Sequence, residues 1–276
     1  MSRDRQIEDG TPPERRQQRQ ALQTEQLRRL RAATPARVFQ GGVAGGDTTA
    51  AYLRLRADHA AARDAVHAPL DLADDALAAT TARFELFAVD SQAKSTAEHL
   101  LRPDLGRRLS EAARATLAIR CTPAADLQIV VGDGLSATAV QRQVPLLLPL
   151  LIEEGRARGW SVGQTFALRH ARVGAMNEIG ELLRPRVLVL LIGERPGLTT
   201  ADGLSAYLAL HPRRGRTDAD RNLVSNIHAG GTPPAAAAPR ILRLAAAMVA
   251  AGLSGHALKE PDAAAELGSG AHPTRS

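Results

Sequence analysis

The stretch Val187-Leu-Val-Leu-Leu-Ile192, followed at once by Gly193-Glu194-Arg195-Pro196-Gly197, decides the fold of this 276-residue chain. A short run that is apolar at both odd and even positions predicts a strand buried on both faces, as strands are in layered α/β folds. Ligands of such folds bind beyond the carboxyl ends of the strands. The loop that carries Glu194 and Arg195 is therefore a candidate site.

The alternation of strand, turn and helix recurs from Asp126 onward. Alternating units of this kind predict an α/β fold with a doubly wound, mainly parallel sheet and flanking helices, and we expect all four predicted strands to be parallel. The predictions are strands at Leu127–Val131, Phe166–Leu168, Val187–Ile192 and Ala206–Leu210, helices at Pro145–Arg158, Ala175–Leu183 and Pro234–Ala251, and a polar loop at Arg213–Asn226.

Residues 49–120 show helical spacing and predict a small helical N-terminal lobe. One helix is expected over Tyr52–Val66, a second capped by Ser91 and ending at Leu101, and a third capped by Asp104 and ending at Leu117. Residues 1–48 predict a basic, flexible tail and a glycine-rich linker, in which a helix over Gln17–Arg31 is marginal on its own. The sheet occupies residues 121–260, and residues 261–276 predict a disordered C-terminal tail.

The composition restricts the function classes. The net charge is +6 and the sequence pI is about 10.5, but arginines alternate with acidic residues along the chain, which argues against a nucleic-acid groove reader. Uninterrupted apolar runs stay shorter than the roughly 18 residues that a membrane span needs, so no membrane association is predicted. A single cysteine, Cys121, fits a reducing cytoplasm.

The loop Gly132-Asp-Gly-Leu-Ser-Ala137 fits the relaxed dinucleotide motif G-x-G-x-x-A directly after a predicted strand. Enzymes that bind NAD through this motif carry an acidic residue at the end of the second strand, whereas Arg169 stands there. An arginine suits a 2′-phosphate, so an autonomous NADP-binding oxidoreductase of Rossmann type is the alternative function. A basic interaction module that acts through the tail is a third.

The sequence predicts neither catalytic residues nor a metal site. The eight histidines are dispersed, and the chain contains neither a nucleophile elbow nor a P-loop. Backbone amides, Glu194 and several arginines at one sheet edge instead favour the binding of a large ligand that is rich in amides or anionic.

Several ordered blocks of the sequence resemble the small (light) subunit of ethanolamine ammonia-lyase, over about residues 35–259. The blocks are Leu53-Arg-Leu-Arg-Ala-Asp-His-Ala-Ala-Ala-Arg-Asp-Ala-Val66, Leu101-Arg-Pro-Asp-Leu-Gly-Arg-Arg108, Gly132-Asp-Gly-Leu-Ser-Ala137, Arg172-Val173, Ile192-Gly-Glu-Arg-Pro-Gly-Leu198, Asp220-Arg221 and Ser225-Asn-Ile-His-Ala-Gly-Gly-Thr-Pro-Pro234. Long blocks in a fixed order are more specific than a single glycine motif.

The resemblance implies a Rossmann-like platform that covers one side of adenosylcobalamin. A separate large subunit would complete the cofactor site, and the ethanolamine substrate would be bound mainly by that partner. The two subunits would form a hetero-oligomer of several small–large pairs. The complex would deaminate ethanolamine to acetaldehyde and ammonia by a radical route, and this chain alone would be inactive. The implied location is the cytoplasm; some relatives enter a bacterial microcompartment, and whether the tail serves that purpose here stays open.

Three cofactor contacts are implied by the resemblance: Val173, Glu194 and Leu223. Val173 would pack on the corrin rim, and Glu194 would accept hydrogen bonds from a corrin amide. Leu223 stands where relatives have cysteine, which implies a steric or backbone contact there. Without the resemblance, the alternatives are a core role for Val173, an ion pair of Glu194 with Arg195, and a loop-filling role for Leu223.

Overall fold

The computed structural model describes residues 13–33 and 48–260. The chain divides into two compact units, Met1–Asp58 and His59–Ser276, and the second contains the sheet. In the first unit, a helix spans Pro13–Ala32, within the segment that was predicted to be a flexible tail. Within this helix, Glu25 forms ion pairs with Arg28 at 2.9 Å and with Arg29 at 3.0 Å. Residues 1–12, 34–47 and 261–276, which include parts of both predicted tails, lie outside the described residues.

The helices and strands alternate along most of the chain. The helices are α1 Pro13–Ala32, α2 Thr49–His67, α3 Asp75–Phe84, α4 Thr96–Leu101, α5 Glu111–Arg120, α6 Ala137–Ala157, α7 Ala175–Leu183 and α8 Pro234–Ala251. The strands are β1 Phe87–Asp90, β2 Leu127–Gly132, β3 Phe166–Arg169, β4 Val187–Gly193, β5 Leu204–Leu210 and β6 Asn222–Ile227.

The six strands form one mixed sheet in the order β1-β3-β2-β4-β5-β6. The first four in this order are mutually parallel, but β5 is antiparallel to both of its neighbours. The expectation that the strand at Ala206–Leu210 is parallel was therefore wrong. The connection from β4 to β5 is too short for a helical crossover, which needs a dozen or more residues, so the chain reverses direction instead.

The strand β4 is buried on both faces, as the sequence predicted. Val187, Val189 and Leu191 pack into the core under α3, α6 and α8, whereas the alternate residues pack into the core under α5 and α7. Side chains of a strand alternate between the two faces of a sheet, so one apolar run supplies both cores. The sheet thus lies between two helical layers.

Two edge strands were not predicted from the sequence. Strand β1 lies in the segment expected to be wholly helical and pairs in parallel with β3, with Phe87 opposite Phe166. Strand β6 lies in the predicted polar loop and pairs with β5, with Leu223 opposite Tyr207. Edge strands tolerate polar residues because one side of their backbone faces no neighbour, and Asn222–Ile227 accordingly lacks a strong apolar pattern.

Two predicted helix starts were wrong, because nearby serines cap the helices. Ser95 and Ser110 accept hydrogen bonds from the third backbone N–H of α4 and α5, at 3.2 Å and 3.1 Å. Ser91 instead closes the end of β1, and Asp104 begins a single turn of 3₁₀ helix without capping it through its side chain.

The helix predicted to start at Pro145 is instead part of the continuous helix α6. Pro145 and Pro149 lie four residues apart on its half-exposed side, where the missing N–H groups weaken only outer hydrogen bonds. The buried side, including Val144, Leu148 and Leu151, packs on the sheet and holds the helix together.

Helix α8 is long and apolar enough to cross a membrane by length and composition alone. Its apolar side, with Ala238, Ile241 and Leu242, is buried in the core against β5, β6 and α6. Arg240 and Arg243 interrupt its outer side. This is the pattern of a core helix.

Candidate functional site

Three loops converge at one edge of the sheet. The loop after β2 leads to α6 on one face, and the loop after β3 leads to α7 on the other, which opens a crevice between them. With the loop after β4 they line a cleft of about 360 Å³. All three residues implied by the resemblance, Val173, Glu194 and Leu223, line this cleft.

Glu194 is held by hydrogen bonds from two neighbouring strands. Its Oε1 accepts a bond from the Ser205 hydroxyl at the start of β5 and one of 3.0 Å from the Asn226 backbone N–H in β6. Arg195 makes no ion pair with Glu194 within the described part of the chain, so the alternative of a simple pair with Arg195 does not hold. The other carboxylate oxygen of Glu194, Oε2, takes no hydrogen bond from any described residue and can accept one from a ligand.

Strands β5 and β6 supply one wall of the cleft from alternate positions. Ser205 and Tyr207 on β5 face it beside Leu223 and Ser225 on β6. Leu223 is 43% exposed, so it offers apolar surface to a ligand and does not fill an internal pocket. Burial, aided by the carboxylates of Asp218 and Glu194, raises the pKa of Tyr207, so its hydroxyl remains a hydrogen-bond donor.

The opposite wall is the loop after β3, which carries Val173. Val173 is half-buried: it packs against the core under α5 and α7 and also borders the cleft. Asp133 fixes this loop, because its carboxylate accepts bonds from the backbone N–H groups of His170 at 2.7 Å and Ala171 at 2.8 Å. The Arg172 N–H donates to the Gly106 carbonyl at 2.8 Å. These hydrogen bonds fix the wall to the end of β2 and to the 3₁₀ turn at Leu105–Arg107.

His99 supports the cleft from behind. It is buried, and its Nε2 lies 2.9 Å from the carbonyl oxygen of Gly134, which lines the cleft. A carbonyl only accepts, so Nε2 carries the proton, and Nδ1 has no partner in the described structure. Burial, with repulsion from Arg172, lowers the pKa of His99 to about 4, so the ring is neutral at ordinary pH.

The glycine motif Gly132–Ala137 is partly occupied by contacts within the chain. Ser136 caps α6 by accepting from the Ala139 N–H at 3.1 Å, and its hydroxyl donates to the Ala201 carbonyl at 2.9 Å. A Cβ on Gly193 would lie 2.1 Å from the Ser136 carbonyl oxygen, so the end of β4 already covers this turn. Arg169 faces Asp90 at 3.7 Å.

Several residues of the cleft were not predicted from the sequence. Ser205, Tyr207 and Ser225 belong to strands whose pairing was unknown or wrongly assigned. The alternation of Ser205 and Tyr207 within an apolar run was a usable signal for one polar face. Asp133 and His99 act through contacts between residues 35 or more positions apart, and no local pattern reveals them.

The fold and the cleft together define a class: a mixed α/β domain with an open cleft at the carboxyl edge of its parallel strands. Comparison with known proteins names the family. The family model described as Ethanolamine ammonia-lyase light chain (EutC) matches residues 24–259. The chain belongs to this family, and the resemblance noted in its sequence is confirmed.

Individual relatives agree. The ethanolamine ammonia-lyase small subunit of Azotobacter vinelandii is 42% identical over 257 residues, which cover 90% of this chain and 93% of the relative. Those of Rhodopseudomonas palustris and Fusobacterium nucleatum are 42% and 40% identical over 234 and 239 residues, covering 85% and 87% of this chain and 90% and 79% of the relatives. These names and the covered glycine motif give no support to the NADP-binding alternative.

Proposed function

We propose that this chain is the small subunit of an ethanolamine ammonia-lyase and that its cleft receives one side of adenosylcobalamin. The observation that carries the proposal is the convergence of Val173, Glu194 and Leu223, which are up to 50 positions apart in sequence, on one cleft. The sheet would act as a Rossmann-like platform, although β5 departs from an all-parallel arrangement.

The chemistry of the cleft fits a corrinoid. The corrin ring is apolar on its faces and carries amide groups around its rim. Val173 and the exposed Leu223 offer apolar contact to the ring, while the free Oε2 of Glu194 offers an acceptor for an amide N–H. The Tyr207 hydroxyl can donate to an amide carbonyl.

The size of the cleft favours a shared site. Pockets that enclose a drug-sized molecule have volumes of roughly 300–1,000 Å³, and a corrinoid is far larger than such a molecule. A cleft of about 360 Å³ can therefore cover only part of it. The remaining surface would be covered by a large subunit, in a hetero-oligomer that binds ethanolamine mainly through that partner.

The chemistry that the bound cofactor supplies is homolysis of its cobalt–carbon bond, which starts the radical deamination of ethanolamine to acetaldehyde and ammonia. The residues of this chain hold and orient the corrin and exclude water from one side. We place the enzyme in the cytoplasm, with residues 1–48 as the segment to test for entry into a bacterial microcompartment.

Reconstitution tests the proposal. The purified chain, mixed with a large subunit and adenosylcobalamin, should retain the cobalamin absorption spectrum through gel filtration and release ammonia only when ethanolamine is added. Neither subunit alone should do so. Turnover by this chain alone, or protection of it against heat by NADP but not by cobalamin, would contradict the proposal.

A further inference from the structure

A second cleft adjoins the one described above. Its volume is about 800 Å³, and it shares Arg172 and Val173 with the first. We call it the arginine cleft, after the six arginines that line it: Arg107, Arg108, Arg172, Arg214, Arg216 and Arg221.

Half of these arginines lack an acidic partner. Within residues 13–33 and 48–260, Arg107, Arg108 and Arg172 have no carboxylate within the 4.0 Å of an ion pair, whereas the other three do. Two acidic residues of the cleft are also paired with arginines outside it, Asp104 with Arg102 at 2.8 Å and Glu178 with Arg114. The cleft therefore carries an excess of positive charge.

Two of the unpaired guanidinium groups, those of Arg107 and Arg172, lie close enough to repel each other. Burial lowers the pKa of Arg172, and the charges of Arg107 and Arg195 lower it further. Burial lowers the pKa of Arg221 more than its ion pair with Asp218 raises it, and the charge of Arg107 acts in the same direction as burial. Like charges held together in this way are stabilised by an anion placed between them.

Two glycines allow the side chains of Arg107 and Arg172 to pack closely against the backbone. A Cβ on Gly174 would lie 2.9 Å from Cγ of Arg107, and a Cβ on Gly106 would lie 2.8 Å from Cγ of Arg172. The aliphatic part of Arg107 thus packs on Gly174, and that of Arg172 packs on Gly106. Nη2 of Arg172 donates to the His99 carbonyl at 3.2 Å, which orients its guanidinium and leaves Nη1 for a ligand.

We propose that the arginine cleft binds the phosphodiester of the nucleotide loop of adenosylcobalamin, with Arg107 and Arg172 as the donors. This inference rests on the proposed function. The phosphodiester is the anionic group of the cofactor, and guanidinium groups bind phosphate oxygens through paired hydrogen bonds. Val173 borders both clefts, so a corrin that packs on it has the arginine cleft directly beside its rim.

The test compares two corrinoids that differ in this group. Adenosylcobalamin contains the nucleotide loop and its phosphodiester; adenosylcobinamide has the same ring and upper ligand but lacks both. Binding of each to the assembled small–large complex is measured by equilibrium dialysis, for the wild type and for Arg107→Gln and Arg172→Gln. Arg156→Gln, at the opposite edge of the sheet, removes the same charge and is the matched control.

Each cleft variant should raise the Kd for adenosylcobalamin by about tenfold, as expected when a hydrogen bond to a charged group is lost. The Kd for adenosylcobinamide should stay within about twofold, and the control should change neither. The ³¹P resonance of bound cobalamin should shift in the cleft variants only.

Three outcomes would overturn the inference. The variants could leave the Kd for adenosylcobalamin unchanged, or raise both Kd values equally, which would assign the arginines to the ring. They could instead weaken assembly of the two subunits without any corrinoid, seen by gel filtration, which would assign the cleft to an acidic segment of the partner. If the wild-type complex bound neither corrinoid, the proposed function itself would fail.

Discussion

Acidification should destabilise this protein through His99. The ring is buried, its Nε2–H donates to the Gly134 carbonyl, and its pKa is lowered from 6.5 to about 4. Protonation is opposed by burial and by the charge of Arg172, while His170 lies 5.9 Å away, ring centre to ring centre. The unfolded chain therefore takes up the proton more readily than the folded one.

The direction and size of this change in unfolding free energy follow from the linkage between protonation and folding. Because the pKa is lower in the folded state, the contribution of the neutral ring is fully present above about pH 6.5 and is lost as the pH falls toward about 4. The full loss is about 3 kcal/mol, since each unit of pKa corresponds to about 1.36 kcal/mol, and about 2 kcal/mol of it should already be lost at about pH 5.

Urea unfolding at a series of pH values measures this loss. The matched variant is His99→Gln, which has a side chain of similar length that does not titrate. The difference in unfolding free energy between the two proteins should change by about 2 kcal/mol between about pH 8 and pH 5, since other titrating groups contribute equally to both. Parallel pH profiles for the two proteins would refute the reasoning, as would a His99 NMR titration near pH 6.5.

Three further predictions concern the cleft and the cores. Glu194→Gln keeps an acceptor at Oε1 but replaces the free Oε2 by a donor, so the Kd for cobalamin in the assembled complex should rise about tenfold with little change in Tm. Glu194→Ala should also lower the free energy of unfolding by about 1–2 kcal/mol, because the Ser205 hydroxyl and the Asn226 N–H lose their acceptor. Unchanged cobalamin retention in both would remove Glu194 from the site. Leu223→Ser should change unfolding free energy by less than about 0.5 kcal/mol, since the side chain is 43% exposed, yet weaken cobalamin binding; equal binding would show that the leucine surface is not used. Cys121 is buried, and burial raises the pKa of its thiol to about 11. A thiol reagent should therefore leave it unmodified in the folded protein at neutral pH and label it fully in denaturant. Rapid labelling without denaturant would contradict its burial.

The sequence predicted the centre of the sheet because those strands are buried on both faces. The apolar runs of β2 and β4 favour buried strands, and the turns after them border the cleft. The edge strands β1 and β6 are short and partly exposed, so their residues carry weaker constraints. The direction of β5 depends on the length of one loop, which local patterns do not encode.

The end of the Val187–Ile192 strand alone indicated the loop of Glu194, whereas Val173 and Leu223 were named only through the family resemblance. Val173, Glu194 and Leu223 have no common spacing, and only the folded sheet brings them to one cleft. The residues that orient the cleft walls, Asp133 and His99, form hydrogen bonds across the fold and gave no local signal.

The position of Glu194 has a consequence for affinity. Immobilising a free glutamate side chain costs roughly 1.5–2 kcal/mol of rotamer entropy. Here Ser205 and the backbone of Asn226 restrain the carboxylate as the chain folds, so an incoming ligand meets an acceptor that already points into the cleft. The entropic loss is thus borne by folding, and under the proposed function the discrimination between ligands would depend on how well their amide groups match a restrained oxygen.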